Sequence, residues 1–270
     1  MYTASLLTTS TQVLRRHRVV TMRGRIEAHI LSKIKQDGAI HLSLLDPEKV
    51  SSGEASQISK DAEKAGTTAI MVGGSTVANV KTVDAIVKAV KKTVKIPVIL
   101  FPNNVTGVSR NADAIWFMSL LNSSNPYFIT GAQAATSMLV KEYGLEPIPL
   151  GYIITGEGGA AGLTGQAHPI PYNQPVVAVA YALAAQYLGM RFIYLEAGSG
   201  ARVPVPSEMI VAVKRFIKIP LIVGGGIRTG RDAGKVVKAG ADAVVTGTVI
   251  EETGSVKDKI SELVQSIKRA

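Results

Sequence analysis

Two glycine-rich stretches point to a binding site for an anion. VGGGIRTG runs from Val223 to Gly230 and VVTGT from Val244 to Thr248, and both are apolar runs that end in glycine. Glycine has no Cβ, so backbone N–H groups can approach an anion closely, and a helix beginning near Thr229 would add the positive end of its dipole. The amides predicted to face one phosphate group are those of Gly225, Gly226, Gly247 and Thr248. The alternative is that these glycines only form tight turns.

A third stretch, YLEAGSG, predicts a carboxylate near these glycines. It spans Tyr194–Gly200 and closes an apolar run, so Glu196 would lie at the carboxyl end of a strand. Among apolar neighbours a glutamate can act as a general base or bind a hydroxyl group, and Ser199 and Gly200 would extend the phosphate site. The alternative is a strand-end glutamate that pairs with a surface arginine.

Asp46 and Ser75 are candidate ligands of a divalent cation. Asp46 ends one apolar run and precedes Pro47, which favours an extended backbone at Asp46, and Ser75 follows the next apolar run in GGST. One carboxylate and one hydroxyl are only two protein ligands. Mg²⁺ can bind at such a site when waters and substrate phosphates complete its octahedron. The alternative for Asp46 is the N-cap of the following helix.

Other catalytic motifs are incomplete. GEGGAA, beginning at Gly156, fits the glycine spacing of a dinucleotide fingerprint, but prolines follow where a helix would have to begin. GRDAGKV lacks the first glycine and the Ser or Thr of a P-loop, and the four histidines have no zinc spacing. The chain has no cysteine, which excludes disulfides and thiolate metal sites.

The elements that would position these residues alternate between strand and helix, which predicts an α/β fold with a parallel sheet. Eight repeats over about 245 residues match a TIM-type (β/α)8 barrel, whose active sites lie at the carboxyl ends of the strands. The predicted strands are Ile40–Asp46, Thr68–Gly74, Pro97–Pro102, Ala114–Leu121, Pro149–Thr155, Arg191–Gly198, Pro220–Gly226 and Asp242–Thr248. The predicted helices are Val50–Ala65, Val77–Lys91, Gly131–Tyr143, Pro175–Leu188, Pro206–Phe216, Thr229–Ala239 and Ser255–Lys268.

Two connections depart from the regular barrel. Only NNVTGVSRNAD lies between Pro102 and Ala114, which is too short for a crossover with a full helix. We therefore predict that the third helix is missing or replaced by an extended segment. The long loop Gly156–Asn173 is rich in glycine and follows the fifth strand. We interpret it as a mobile substrate lid, with a plain insertion as the alternative.

The formal charge of +10 is partly concentrated at the amino terminus, where five arginines and no acidic residue occur up to Ile26. Without them the formal charge is about +5, which suits anionic small substrates or a membrane surface. We assign residues 1–24 to a basic extension that superficially resembles a transit peptide. It is either disordered or the result of a start upstream of the true one at Met22. Residues 25–270 form a single barrel-type catalytic domain.

The composition also limits the classes of binding partner that we expect. Basic and aromatic residues do not cluster as in nucleic-acid-binding proteins, so we expect no nucleic-acid partner. No run approaches the ~18 apolar residues of a transmembrane helix, and the absence of cysteine fits a reducing, cytoplasmic setting. Peripheral contact with a membrane stays open.

Together the motifs resemble the geranylgeranylglyceryl phosphate synthase family, which includes bacterial heptaprenylglyceryl phosphate synthases. LLDPEK, GGST, LFPNN, YLEAGSG, VGGGIRT and TGT occur in this order over Ile40–Thr248. The resemblance implies a modified barrel without its third helix, in agreement with the short crossover. The basic amino-terminal extension has no counterpart in the family pattern.

The resemblance implies prenyl transfer, the first committed step of archaeal membrane phospholipid synthesis. The C3 hydroxyl of sn-glycerol 1-phosphate attacks C1 of geranylgeranyl diphosphate, and diphosphate leaves. By the same resemblance, Asp46 and Ser75 bind Mg²⁺, and Glu196 holds the glycerol hydroxyl and takes its proton or only orients it. The implied glycerol phosphate site consists of Tyr194, Leu195, Glu196, Ala197, Gly198, Ser199, Gly200, Gly225, Gly226, Gly247 and Thr248. Lys49, about one helical turn past Asp46, is our own candidate for a diphosphate contact.

The prenyl tail requires an apolar groove. AIWFMSLL offers Trp116, Phe117 and Met118 beside the predicted gap, although ordinary barrel core is the alternative for each. A longer prenyl diphosphate, as in the heptaprenyl enzymes, is an open alternative. A sugar-phosphate isomerase or aldolase and a membrane-surface binding protein are the rival functions, although no predicted strand supplies a Schiff-base lysine. The family resemblance also implies a homo-oligomer.

Overall fold

The structure, a computed structural model, describes residues 23–76, 79–247 and 255–270 and forms a closed barrel of eight parallel strands. The strands are β1 Ile40–Leu45, β2 Ala69–Val72, β3 Val98–Leu100, β4 Ala114–Leu120, β5 Glu146–Ile154, β6 Phe192–Glu196, β7 Leu221–Gly224 and β8 Ala243–Thr246. The described helices are α1 Arg25–Asp37, α2 Ser52–Ala65, α3 Val80–Lys91, α4 Ala132–Glu142, α5 Gly159–Thr164, α6 Pro175–Tyr187, α7 Ser207–Phe216, α8 Gly230–Lys238 and α9 Val256–Lys268. Every strand pairs with its sequence neighbour, and Ile40 of β1 pairs with Ala243 of β8, which closes the ring. The predicted barrel is therefore confirmed.

The connection between β3 and β4 contains no α-helix, as predicted. A single 3-10 turn, Val105–Gly107, replaces it. The Asn104 side chain begins this turn by accepting a hydrogen bond from the amide of Thr106 at 2.7 Å. The outer face of the barrel beside β4 is therefore left without the helix that would cover it in a regular barrel.

Strand alternation divides the apolar residues into two layers. One cluster fills the barrel interior, with Leu42, Met71 and Trp116 among its members. Two further clusters lie between the sheet and the surrounding helices. Because successive side chains point to opposite faces of a strand, Trp116 and Met118 face the interior while Phe117 packs against a helix-side cluster.

Helix α1, which is missing from the predicted helices, closes the amino-terminal end of the barrel. Ile26 and Ile30 pack into the interior cluster. The carboxylate of Glu146, at the start of β5, accepts hydrogen bonds from the amides of Ile26 and Glu27, both at 2.8 Å. The four-residue spacing of Ile26, Ile30 and Ile34 was the sequence signal for this helix.

A buried polar network joins β1 to β8. The His41 ring bonds to Thr67 Oγ1 through Nδ1 at 2.5 Å and to Thr246 Oγ1 through Nε2 at 2.8 Å. Ser43 Oγ lies 2.9 Å from the same Thr67 oxygen. Burial lowers the pKa of His41 from 6.5 to about 3, so the ring is neutral in the folded protein.

We predict that His41 makes the fold acid-sensitive. The unfolded chain takes up a proton on this ring near pH 6.5 and the folded chain only near pH 3, so stability falls as the pH drops between these values. The His41→Asn variant should show a shallower loss between pH 6.5 and 4 in urea-unfolding midpoints. Equal acid slopes in the variant and the parent protein would contradict the assignment.

No described helix combines the length and the apolar character that crossing a membrane requires.

Candidate active site

One cavity of about 640 Å³ opens at the carboxyl ends of the strands, the end at which barrel active sites lie. It brings together predicted residues from both halves of the chain. Those that line it are Asp46, Lys49, Ser75, Trp116, Phe117, Met118, Tyr194, Glu196, Ser199, Gly200, Gly225, Gly226 and Gly247. The predicted metal ligands, phosphate loops and tail residues thus share one space.

Three predicted residues are placed differently. Leu195 and Ala197 belong to the cluster on the helix side of the sheet, so their side chains point away from the cavity. Gly198 does not line the cavity, but its amide donates a hydrogen bond to Glu196 Oε1 at 2.7 Å. Thr248 lies outside the described residues.

Glu196 is a buried carboxylate at the centre of this arrangement. It is the last residue of β6 and is 6% exposed. Its backbone carbonyl accepts a hydrogen bond from the amide of Thr155 at 2.8 Å, which fixes the strand end. Burial raises the pKa of Glu196, and hydrogen bonds from the Tyr194 hydroxyl and the Gly198 amide oppose the rise without cancelling it. The sequence alternative of a surface ion pair with arginine does not fit this burial.

The glycines after β7 are required by close contacts. Gly225 has φ +81° and Gly226 φ +70°, a region that other residues rarely adopt. A Cβ on Gly225 would collide with Glu196 Oε1 and lie 2.8 Å from the Gly198 amide nitrogen. Each glycine therefore lets the backbone after β7 approach the β6 loop, which is where an anion would meet the amides.

The cation candidates lie at the opposite side of the cavity. Gly74 lets the Asp46 carboxylate lie against the backbone, because a Cβ there would be 2.5 Å from Asp46 Oδ1. The Asn103 side chain donates a hydrogen bond to the carbonyl of Ser75 at 3.0 Å, which fixes the loop after β2. Lys49 Nζ lies 4.0 Å from Asp46 Oδ2.

The alternative role of Asp46 as a helix N-cap is wrong. Helix α2 begins at Ser52, and Ser51 is its N-cap, in a capping box with Glu54. Asp46 Oδ1 instead accepts a hydrogen bond from the amide of Glu48 at 3.0 Å. Its carboxylate is thus held at the cavity wall within the β1–α2 loop.

Three aromatic rings form a floor between the two sides of the cavity. We call Phe101, Tyr152 and Tyr194 the aromatic floor. Their ring centroids are 5.1–5.6 Å apart, and all three line the cavity. Sequence reasoning did not select Phe101 or Tyr152, because each stands in a run that is also typical of barrel core.

The loop between β5 and α6 forms one wall of the cavity. It contains the short helix α5, and Ala160, Ala161, Thr164 and Gly165 line the cavity. The Asn122 side chain holds its base by donating to the carbonyls of Ile154 at 2.9 Å and His168 at 2.8 Å. This position agrees with the predicted lid, whose mobility stays a prediction.

The cavity continues onto the outer face of β4, where the missing helix would lie. Ile115 and Phe117, which point to the helix side, line it together with Val108 and Thr136. Trp116 points inward, is 1% exposed and packs edge-on against Phe192 at 5.2 Å. The apolar groove therefore follows from the missing helix, while Trp116 serves mainly as barrel core.

The described residues contain no cluster of three or more His, Cys, Asp or Glu that could hold a metal by protein ligands alone. A cation here would need ligands from water or substrate. The oxygen ligands of Asp46 and Ser75 fit Mg²⁺ in that role, since Mg²⁺ often binds through one or two carboxylates together with substrate phosphates.

Comparison with known proteins shows the family of the chain. The model of the PcrB family matches residues 32–267. A geranylgeranylglyceryl phosphate synthase from Thermofilum pendens is 50% identical over 247 residues, covering 92% of this chain and 96% of the relative. The synthase from Thermococcus kodakarensis is 54% identical over 248 residues, covering 91% and 98%. The chain belongs to the PcrB family of geranylgeranylglyceryl phosphate synthases.

A solved structure from this family extends the comparison to three dimensions. The (S)-3-O-geranylgeranylglyceryl phosphate synthase of Thermoplasma acidophilum, in complex with its substrate sn-glycerol-1-phosphate, is 40% identical. The TM-score is 0.88, and the alignment covers 92% of this chain and all of the other. The family resemblance drawn from the sequence motifs is confirmed.

Proposed function

We propose that the protein transfers the geranylgeranyl group of geranylgeranyl diphosphate to the C3 hydroxyl of sn-glycerol 1-phosphate. The observation that carries this proposal is a single cavity with three parts. Glycine loops after β6 and β7 lie on one side, a buried carboxylate lies among them, and an apolar groove leaves over β4. A polar phosphate ester and a long apolar chain can meet there.

The phosphate end is formed mainly by glycine-rich backbone, and the side chain of Arg228 also lines the cavity. Gly225 and Gly226 precede α8, whose amino terminus is capped by Thr229 and Asp232. The amides of Thr229, Gly230 and Asp232 already donate hydrogen bonds to side chains of the protein. The helix therefore contributes the positive end of its dipole, and the amides of Gly225 and Gly226 are the ones that we assign to the anion. The loop Gly198–Gly200 faces them across the Gly225 contact. We assign the phosphate group of sn-glycerol 1-phosphate to this space, with Thr248 as a further predicted contact.

Glu196 is suited to receive the proton of the glycerol C3 hydroxyl. Burial raises the pKa of Glu196, and a carboxylate with a raised pKa is a stronger base once it is ionised. The new ether bond forms from the glycerol oxygen to C1 of the prenyl chain. The C1–oxygen bond to diphosphate breaks, and its electron pair leaves with diphosphate.

Asp46 and Ser75 are the residues that would hold Mg²⁺. When bound, the ion neutralises negative charge on the departing diphosphate. Lys49, which also lines the cavity, is placed to contact the same group. The apolar groove along β4 and α4 accommodates the prenyl tail, and Val108, Ile115 and Phe117 provide its surface. Met118 lines the same cavity from the barrel interior.

We predict that Asp46→Asn lowers the rate with geranylgeranyl diphosphate by about two orders of magnitude, which is the scale of several kcal/mol of charge stabilisation. The Mg²⁺ concentration for half-maximal rate should rise as well. Asp61→Asn is the matched control, because Asp61 lies on α2, does not line the cavity and accepts a hydrogen bond from Gln57 on the same helix. An unchanged rate and Mg²⁺ dependence in Asp46→Asn would refute the assignment.

The direct test of the function is incubation with sn-glycerol 1-phosphate, geranylgeranyl diphosphate and Mg²⁺, followed by mass analysis of the lipid extract. The expected product is geranylgeranylglyceryl phosphate. A parallel reaction with heptaprenyl diphosphate tests the longer tail. If neither mixture yields an ether lipid, the proposed function is wrong.

A further inference from the structure

The aromatic floor lines the cavity between Glu196 and the loop that carries Ser75. Tyr152 of β5 pairs in register with Tyr194 of β6, and Glu196 follows on the same face of β6 two residues later. Phe101 lies beside the loop of the cation candidates, because its carbonyl and Cβ pack against Gly73, two residues before Ser75. The rings therefore span the distance between the carboxylate and the cation candidates.

Of the two tyrosines, Tyr152 is the more available to a substrate, since it is 6% exposed and Tyr194 is 1% exposed. The Tyr194 hydroxyl is occupied by Glu196 and is enclosed by Gly224. Among the described residues, Tyr152 has no hydrogen-bond partner for its hydroxyl, and its ring packs edge-on against Phe101 and Tyr194 at 5.4 and 5.1 Å. Burial raises the pKa of Tyr152 well above its usual value, and the charge of Glu196 adds to this, so the phenol stays neutral.

The chemistry of an allylic diphosphate makes such a floor useful. When its C1–oxygen bond breaks ahead of attack, the electron pair leaves with diphosphate and positive charge spreads over C1 and C3 of the prenyl chain. Aromatic faces attract a cation through their negative quadrupole, more strongly where water is excluded. The basic side chains that line the cavity, Lys49 and Arg228, would repel this charge, and no described residue other than Asp46 and Glu196 brings a carboxylate to the lining.

We propose that Tyr152, supported by Phe101 and Tyr194, stabilises the allylic cation through its ring during prenyl transfer. The inference rests on the proposed function and adds a catalytic residue to it. The glycerol C3 oxygen forms its bond to the cationic C1 above this floor, and its proton passes to Glu196. The ring, rather than the hydroxyl, performs the stabilisation.

The test replaces Tyr152 by phenylalanine and then by 4-fluoro-, 3,5-difluoro- and 3,4,5-trifluorophenylalanine. These rings differ little in size, but each fluorine weakens the negative face. Single-turnover rates measured by rapid quench isolate bond formation from release of the lipid product. We expect Tyr152→Phe to keep most of the rate. Across the fluorinated series the rate should fall with each added fluorine, by about tenfold in total.

The matched control is the same series at Phe192, a buried interior ring that packs on Trp116 and does not line the cavity. Its rates should stay constant. A flat series at position 152 would overturn the proposal, even if Tyr152→Leu were slow, because a ring that only packs is insensitive to fluorine. Loss of the rate in Tyr152→Phe would assign the effect to the hydroxyl and also overturn it. If the parent protein forms no ether lipid, the proposed function itself fails, which is a separate outcome.

Discussion

Replacing Glu196 by glutamine is expected to lower the rate of ether formation by about 10²- to 10⁴-fold, the usual contribution of a positioned general base. Glutamine has the same shape and still offers an oxygen to the Gly198 amide, which donates at 2.7 Å in the parent protein. The change removes the proton acceptor and little else. Steady-state and single-turnover rates with sn-glycerol 1-phosphate and geranylgeranyl diphosphate provide the measurement.

The pH dependence of the rate, compared between the parent protein and Glu196→Gln, distinguishes a catalytic base from a structural role. Because burial raises the pKa of Glu196, the rate of the parent protein should fall on acidification at a pH above the usual value of 4.5 for glutamate. The residual rate of Glu196→Gln should lack this acid limb. A group with a raised folded pKa loses stabilising influence as the pH rises, so Glu196→Gln should unfold at the same or a higher temperature at pH 8. A variant with the parent rate would exclude Glu196 as the base.

Replacing Gly225 by alanine is the second change with a large expected effect. The new Cβ would meet Glu196 Oε1 and the Gly198 amide nitrogen, and alanine would be strained at φ +81°. Both consequences displace the amides that we assign to the phosphate group. We expect the dissociation constant for sn-glycerol 1-phosphate, measured by calorimetry, to rise at least about tenfold, or 1.4 kcal/mol.

Gly189 supplies the control for backbone strain. It has φ +89° at the end of α6, and a Cβ there would meet no atom within 4 Å. Gly189→Ala should therefore lose stability through backbone strain alone, about 1 kcal/mol or more for a residue forced into this region, but bind the substrate normally. If the two variants bind equally well, the glycines after β7 do not form the phosphate site.

The barrel and its missing helix were predictable because local sequence patterns determine both. Eight short, largely apolar runs that alternate with helical patterns specify parallel strands, and the eleven residues between Pro102 and Ala114 leave no room for a full helix with its two loops. Helix α1 was missed although Ile26, Ile30 and Ile34 have helical spacing. Its cap is Glu146, a residue far away in the sequence, so the usual local N-terminal signal is lacking.

The site was predictable at its strand ends and less so between them. Asp46, Ser75, Glu196 and the glycines follow strands, and parallel strands bring their carboxyl ends together. Leu195 and Ala197 were predicted to contact the substrate because the whole of YLEAGSG was assigned to the site. Alternation along β6 points their side chains toward the helix layer instead. The role of Phe101 and Tyr152 depends on three strands meeting in space, which no local pattern records.

The central claim is that the C3 hydroxyl of sn-glycerol 1-phosphate supplies the ether oxygen. Reaction of sn-glycerol 1-phosphate labelled with oxygen-18 at C3 with unlabelled geranylgeranyl diphosphate, followed by mass spectrometry of the lipid, tests it most directly. Retention of the heavy oxygen in the ether bond is the predicted result. An ether lipid without the label, or prenyl alcohol and labelled glycerol phosphate with no ether between them, would contradict it.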